Sequence, residues 1–187
     1  KYNTTLFSFA LVREPISYAV SYFNFYHAEP CSFPTCSNTL VKPNEENLNN
    51  LLLFNHQCEL LAREHWELFG TPRETFRRRV TSTECEAVYQ LVLSDMDWAG
   101  TTSQMSTETL PLLTQMFDPE THDATAEHNM PQINKAWKPN HLTVDSLKPS
   151  TVEHIRSMNV YDQAIYEAVL RDFPIDMWED FRPVGHP

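Results

Sequence analysis

The stretch FSFALVREPISYAVSYFNFYH, from Phe7 to His27, constrains the fold most, because two periodicities meet inside it. Thr5–Val12 is a short apolar run rich in β-formers, the pattern of a buried strand. Pro15 then sits where a helix tolerates proline, in a first turn whose N–H groups have no intrahelical partner. From Ile16 to His27 the residues Ile16, Ala19, Val20, Phe23 and Tyr26 recur at helical spacing. Arg13 therefore falls in a strand-to-helix turn, next to first-turn N–H groups and a helix dipole that both favour negative charge. Its planar, permanently charged fork suits a phosphate or carboxylate. Ser21 follows eight residues later, about two turns into the helix. The plain alternative for Arg13 is an ion pair with Glu14 or another acid.

The rest of the chain reads as one helix-rich α/β domain of 187 residues, large enough for a real core. The segment from Glu46 to Phe69 reads as one long helix, with Leu48, Leu51, Leu52, Cys58, Leu61 and Trp66 on a face and Gly70 and Pro72 ending it. Another helix is expected near STEC, where Thr83 and Glu86 have capping-box spacing, and it carries Val88, Leu91 and Val92. MDWAG reads as a short strand and TETLPLLTQMF as a helix with Pro111 in its first turn. Asp118 to Asp145 is polar, proline-punctuated and long for an inert connection. Two helices are expected to close the domain, one from Ser150 and one over about Val160–Phe173 with Tyr161, Ile165, Ala168 and Val169 on one side.

The net charge of −11 argues against generic binding to nucleic-acid backbone or anionic membrane. The densest basic cluster, Arg73, Arg77, Arg78 and Arg79, reads as a solvated helix face or as the partner of nearby Glu residues. The apolar runs, such as LLLF at Leu51–Phe54, are far too short to cross a bilayer. Four cysteines, Cys31, Cys36, Cys58 and Cys85, allow three pairings, and CSFPTC is compatible with a short disulfide-closed loop. With the sequon at Asn3, they point to an oxidising, secretory-pathway compartment. His56, Cys58 and His65 follow no recognised metal-ligand spacing, so no metal is expected. Tyr18, Tyr22 and Tyr26 step by four along a helix, a pattern of packing more often than of a substrate platform.

LVREPISYAVSYF resembles the 3′-phosphate-binding segment of sulfotransferases that use 3′-phosphoadenosine-5′-phosphosulfate (PAPS), above all the Golgi carbohydrate sulfotransferases. In that family an Arg-(Asp/Glu)-Pro follows a strand, a Ser comes eight residues after the Arg, and aromatics follow. Arg13, Glu14, Pro15, Ser21, Tyr22 and Phe23 match. DWAGTTSQMSTETLPLL is similar to the family's strand–Gly–Thr–helix stretch through Gly100 and Thr102, with Ser103 where an acid is common. VEHIRSMNVYDQAIYEAVLRDF resembles its closing helices, with Asp162 and Tyr166 in pattern. HNMPQINKAWKPNH falls where the cofactor-closing loop is expected.

The resemblance implies a P-loop-like sulfotransferase fold lacking its N-terminal portion, with few parallel strands. It implies transfer of a sulfuryl group from PAPS to a hydroxyl, on a carbohydrate acceptor. Arg13 and Ser21 become ligands of the cofactor's 3′-phosphate, and Asn129, Lys135 and Lys138 contact the nucleotide from the loop. The family's phosphosulfate loop and general base lie upstream of the Arg–Ser motif, and none of the three glycines here, Gly70, Gly100 and Gly185, opens such a loop. Catalytic residues are therefore expected upstream. The alternative is a sulfotransferase-like protein without catalysis, a structural or interaction subunit of a larger assembly.

Overall fold

A computed structural model describes residues 9–28, 40–64, 80–93, 96, 98–104 and 141–172. Strand β1, Phe9–Val12, runs into a turn at Arg13 and Glu14 and then into helix α1, Pro15–Tyr26. Helix α1 begins where the proline allows, and its start is sealed by Glu14. That carboxylate accepts hydrogen bonds from the N–H groups of Ile16 (3.1 Å) and Ser17 (2.7 Å). The first turn is thus already supplied with an anion from its own chain.

The long helix expected over residues 46–69 divides in two. Helix α2 is Glu45–Asn50 and helix α3 is His56–Glu64. The break has a physical cause at Asn55, whose backbone takes φ 46°, a left-handed conformation asparagine tolerates and a continuing helix excludes. The part of that expectation from residue 65 onward lies outside the described residues, as do the basic cluster at 73–79 and the helix expected around Pro111.

Helix α4, Ser82–Val88, is capped two residues earlier than expected: Thr81 and Glu84 form the capping box instead of Thr83 and Glu86. It passes into a wider π turn at Tyr89–Leu93. Strand β2, Trp98–Thr101, follows and pairs in parallel with β1, with Phe9 opposite Trp98 and Val12 opposite Thr101. The two closing helices are α5, Pro149–Met158, and α6, Val160–Asp172. The carboxylate of Glu45 covers the start of α5, accepting from Lys148 N–H (3.3 Å) and the Thr151 hydroxyl (2.5 Å).

Two apolar clusters hold these elements. Val12 and Ala99 of the strand pair bury against Cys58, Ala62, Cys85, Val88, Ile165 and Val169 of α3, α4 and α6. Ile16, Val20 and Phe23 of α1 bury against Leu48 of α2 and Ile155 of α5. The strand-to-helix turn at Arg13 stands at the junction of the two. The described part is mixed and helix-rich with a two-stranded parallel sheet, an α/β arrangement. Among the described residues no helix is long and apolar enough to cross a membrane.

Candidate functional site at the strand ends

Parallel pairing brings the carboxyl ends of β1 and β2 side by side, with Val12 opposite Thr101. Arg13 and Thr102 therefore leave the sheet as neighbours. In open α/β sheets this edge, outside the carboxyl ends of the strands, is where ligands bind. Thr101 is fully buried and its hydroxyl shares a 2.8 Å hydrogen bond with that of Ser103, while Thr102 and Ser103 themselves are exposed.

Arg13 is half-buried and held at both ends. Its backbone N–H donates to the side-chain oxygen of Gln57 (2.8 Å), and the Gln57 amide nitrogen donates back to its carbonyl (2.8 Å). Its Nε donates to the Ser17 hydroxyl (2.9 Å), one turn into α1. Among the described residues no carboxylate lies within ion-pair distance of the guanidinium. The expected alternative, a pair with Glu14, is not formed, since both Glu14 oxygens face the helix N–H groups. Burial lowers the guanidinium pKa from its ordinary value, with Glu14 opposing the shift, yet an arginine stays charged.

Ser21 lies on α1 one further turn beyond Ser17. Ser17 and Ser21 are one turn apart on α1, and Arg13, in the turn before the helix, precedes Ser17 by four residues. The arginine reaches Ser17 and stops short of Ser21. Spacing from Arg13 to Ser21 was visible in the sequence, but Ser17 was the residue to name first, and its i+4 offset was the available signal. Gln57, 44 positions away, carried no local signal at all. Asn129, Lys135 and Lys138 lie outside the described residues.

Leu142 docks on the same helix. Asn24 donates from its amide to the Leu142 carbonyl (2.7 Å) and accepts from Leu142 N–H (3.3 Å).

Also on α1, Tyr18, Tyr22 and Tyr26 form a column. Tyr22 and Tyr26 have ring centroids 4.5 Å apart, and Tyr22 and His56 lie edge-to-face with centroids 4.9 Å apart. The Tyr18 hydroxyl and His56 Nδ1 share a 2.7 Å hydrogen bond. Burial first, and Arg63 second, lower the His56 pKa to about 4, so the ring is neutral at pH 7. Burial also raises the Tyr18 pKa, helped by Tyr22. Tyr18, Tyr22 and His56, with Leu48, Leu51, Leu52 and Leu53, line a groove of about 280 Å³, counting its open mouth. This column is packed rather than free.

Asp162 is buried, and its two oxygens accept from the N–H groups of Gln57 (3.0 Å) and Cys58 (2.8 Å), capping α3 from 105 and 104 positions away. Asn55 caps α6 in return, accepting from Tyr161 N–H (2.8 Å) and Asp162 N–H (3.3 Å). Burial raises the Asp162 pKa to about 6 although both N–H groups pull it down. Cys58 is bonded to Cys85, which removes it as a metal ligand and selects among the open pairings for these two cysteines. Among the described residues no three His, Cys, Asp or Glu gather as metal ligands, and His65, Cys31 and Cys36 lie outside them.

No protein-family model, curated protein or solved structure gives a significant match to this chain.

Proposed function

We propose that the strand-end site holds the 3′-phosphate of an adenosine nucleotide, and that the chain is the nucleotide-positioning part of a P-loop-like, PAPS-dependent sulfotransferase acting on a hydroxyl of a carbohydrate. The observation that carries this reading is the half-buried Arg13 guanidinium with no carboxylate partner among the described residues, at the carboxyl end of a parallel strand pair. A desolvated cation left without an acid is costly unless it meets an anion from outside. Burial on this scale also strengthens whatever charge-assisted bond it makes. The resemblance of LVREPISYAVSYF to the family's phosphate segment names the anion.

The residues fit one end of such a group. Arg13 offers its terminal nitrogens, since its Nε is committed to Ser17, and the Ser17 and Ser21 hydroxyls follow one turn apart on α1. PAPS supplies the transferable sulfuryl group when bound. This chain's own residues fix the nucleotide, a positioning role that lowers the barrier by orientation. Proton removal from the acceptor belongs to residues upstream. Thr102 and Ser103, exposed at the adjacent strand end, extend the polar rim of the site. The Cys58–Cys85 disulfide agrees with an oxidising lumen such as the Golgi.

Calorimetric titration with adenosine 3′,5′-bisphosphate (PAP) tests this directly. Arg13→Ala is expected to weaken binding by roughly 1.5–3 kcal/mol, the scale of a hydrogen bond to a charged group. Unchanged affinity in that variant would remove the assignment. A protein that binds PAP through Arg13 but transfers no sulfuryl group, with no Lys- and Gly-bearing loop in its full reading frame, would be the non-catalytic subunit instead.

A further inference from the structure

The pairing of β1 with β2 ends at Val12 and Thr101. Arg13 is the next residue, and among the described residues no strand lies beside it to bind its backbone groups. Gln57 does so in a strand's place. Its side-chain amide accepts from Arg13 N–H and donates to Arg13 C=O, both at 2.8 Å, the same donor–acceptor exchange that one residue makes with another across a ladder.

We propose that Gln57 is a positioning residue for the Arg13 guanidinium, fixing through this amide clamp where the arginine leaves the sheet. The inference rests on the reading of Arg13 as a phosphate ligand. An arginine side chain is long and rotamer-rich, so a small change in backbone direction at its root sweeps the guanidinium widely. Here the root is held by Gln57 and the Nε by Ser17, which leaves the two terminal nitrogens for a ligand.

The clamp is itself anchored. Gln57 is 8% exposed, so its amide has little water to turn to. Its own backbone N–H, and that of Cys58, end on the buried Asp162 carboxylate of α6. Cys58 is tied to Cys85 of α4. Two helices and a covalent bond therefore stand behind a side chain that hydrogen-bonds the arginine at its backbone. Glutamine is the residue this geometry asks for. Asparagine is one methylene shorter, and glutamate cannot donate to the Arg13 carbonyl when ionised.

A binding cycle separates positioning from fold maintenance, because the clamp bonds backbone atoms that survive any change of the Arg13 side chain. Calorimetry with PAP is run on the full-length protein, on Gln57→Ala, on Arg13→Ala and on the double variant, each with its melting temperature. Gln57→Ala is expected to weaken PAP about tenfold, the scale of one well-placed hydrogen bond to a charged group. In the Arg13→Ala background it should cost under about twofold, because residues acting as a unit are not additive. The loss of melting temperature should be the same in both backgrounds. Equal affinity losses in both backgrounds, or no loss in the wild-type background, would overturn the role of Gln57. If Arg13→Ala alone leaves PAP binding intact, the phosphate reading fails first and this inference with it. Gln57→Met keeps the buried volume without the two hydrogen bonds, and it replaces the alanine variant if that one does not fold; the same non-additivity is required of it.

Discussion

At the scale of single residues, the chain places its ionisable groups in unlike surroundings, and each has a consequence. Glu14 spends its charge on the helix start, which is why Arg13 keeps its own. Asp162, buried, and His56, half-buried, both lie near the start of α3, and their titrations oppose each other. With its folded pKa raised to about 6, Asp162 binds a proton more readily in the native state than in the unfolded one. Its contribution is present below about pH 4 and is lost as pH rises through 6. His56, lowered to about 4, favours the native state above its unfolded value and loses that contribution as pH falls towards 4. Asp162→Asn removes one slope and leaves the other. The variant's stability is expected to rise more steeply with pH than the wild type's between about pH 4 and 6, by up to roughly 1.4 kcal/mol per pH unit. Urea denaturation at a series of pH values measures it, and parallel slopes would contradict the burial of Asp162. None of this was legible in the sequence, where Asp162 was one member of a family-like pattern. Its partners Gln57 and Cys58 lie more than a hundred positions away and follow no local period.

Elements were easier to read where one physical rule sets them. The junction of β1 and α1 announced itself through a change from an apolar run to helical spacing across Pro15, and it stands where expected. The closing helices also emerge from their own apolar faces, with Ile165, Ala168 and Val169 buried in α6. The reading failed where a tertiary contact outweighs periodicity. Leucines continue in helical register across residues 51–53, yet Asn55 breaks the helix in order to cap α6, while Asp162 caps α3. The gain is a reciprocal lock between two helix starts. The cap of α4 was displaced because two overlapping Thr-x-x-Glu pairs compete there, and the earlier one, Thr81 with Glu84, closes the box. A covalent bond joins α3 to α4 at Cys58 and Cys85, across a separation of 27 residues. Replacing both cysteines by alanine is expected to cost about 3.5 kcal/mol by loop-closure entropy. Equilibrium denaturation of oxidised wild type against the double variant tests this, and equal midpoints would refute a stabilising role for the bond.

Across the whole molecule, the pattern is of distant segments converging on one turn. β2 arrives beside Arg13 in parallel, α3 supplies Gln57, and α6 holds α3 by its start. Leu142 is pinned to α1 by Asn24, 118 positions earlier in the chain. The background charge is −11, so a guanidinium with no carboxylate partner among the described residues would draw an anion against the net field. The sequence placed Arg13 at a strand end and gave its distance to Ser21. It did not show that the arginine would lie along α1 on Ser17 with its carboxylate neighbour turned away.

The central claim is recognition of a nucleotide's 3′-phosphate by Arg13, and comparing PAP with adenosine 5′-monophosphate isolates that group. In the wild-type protein PAP should bind roughly 10- to 150-fold more tightly, the equivalent of a charge-assisted hydrogen bond, and in Arg13→Ala the preference should collapse to near unity. Equal binding of the two nucleotides by the wild type, or a preference that survives in Arg13→Ala, would contradict the account.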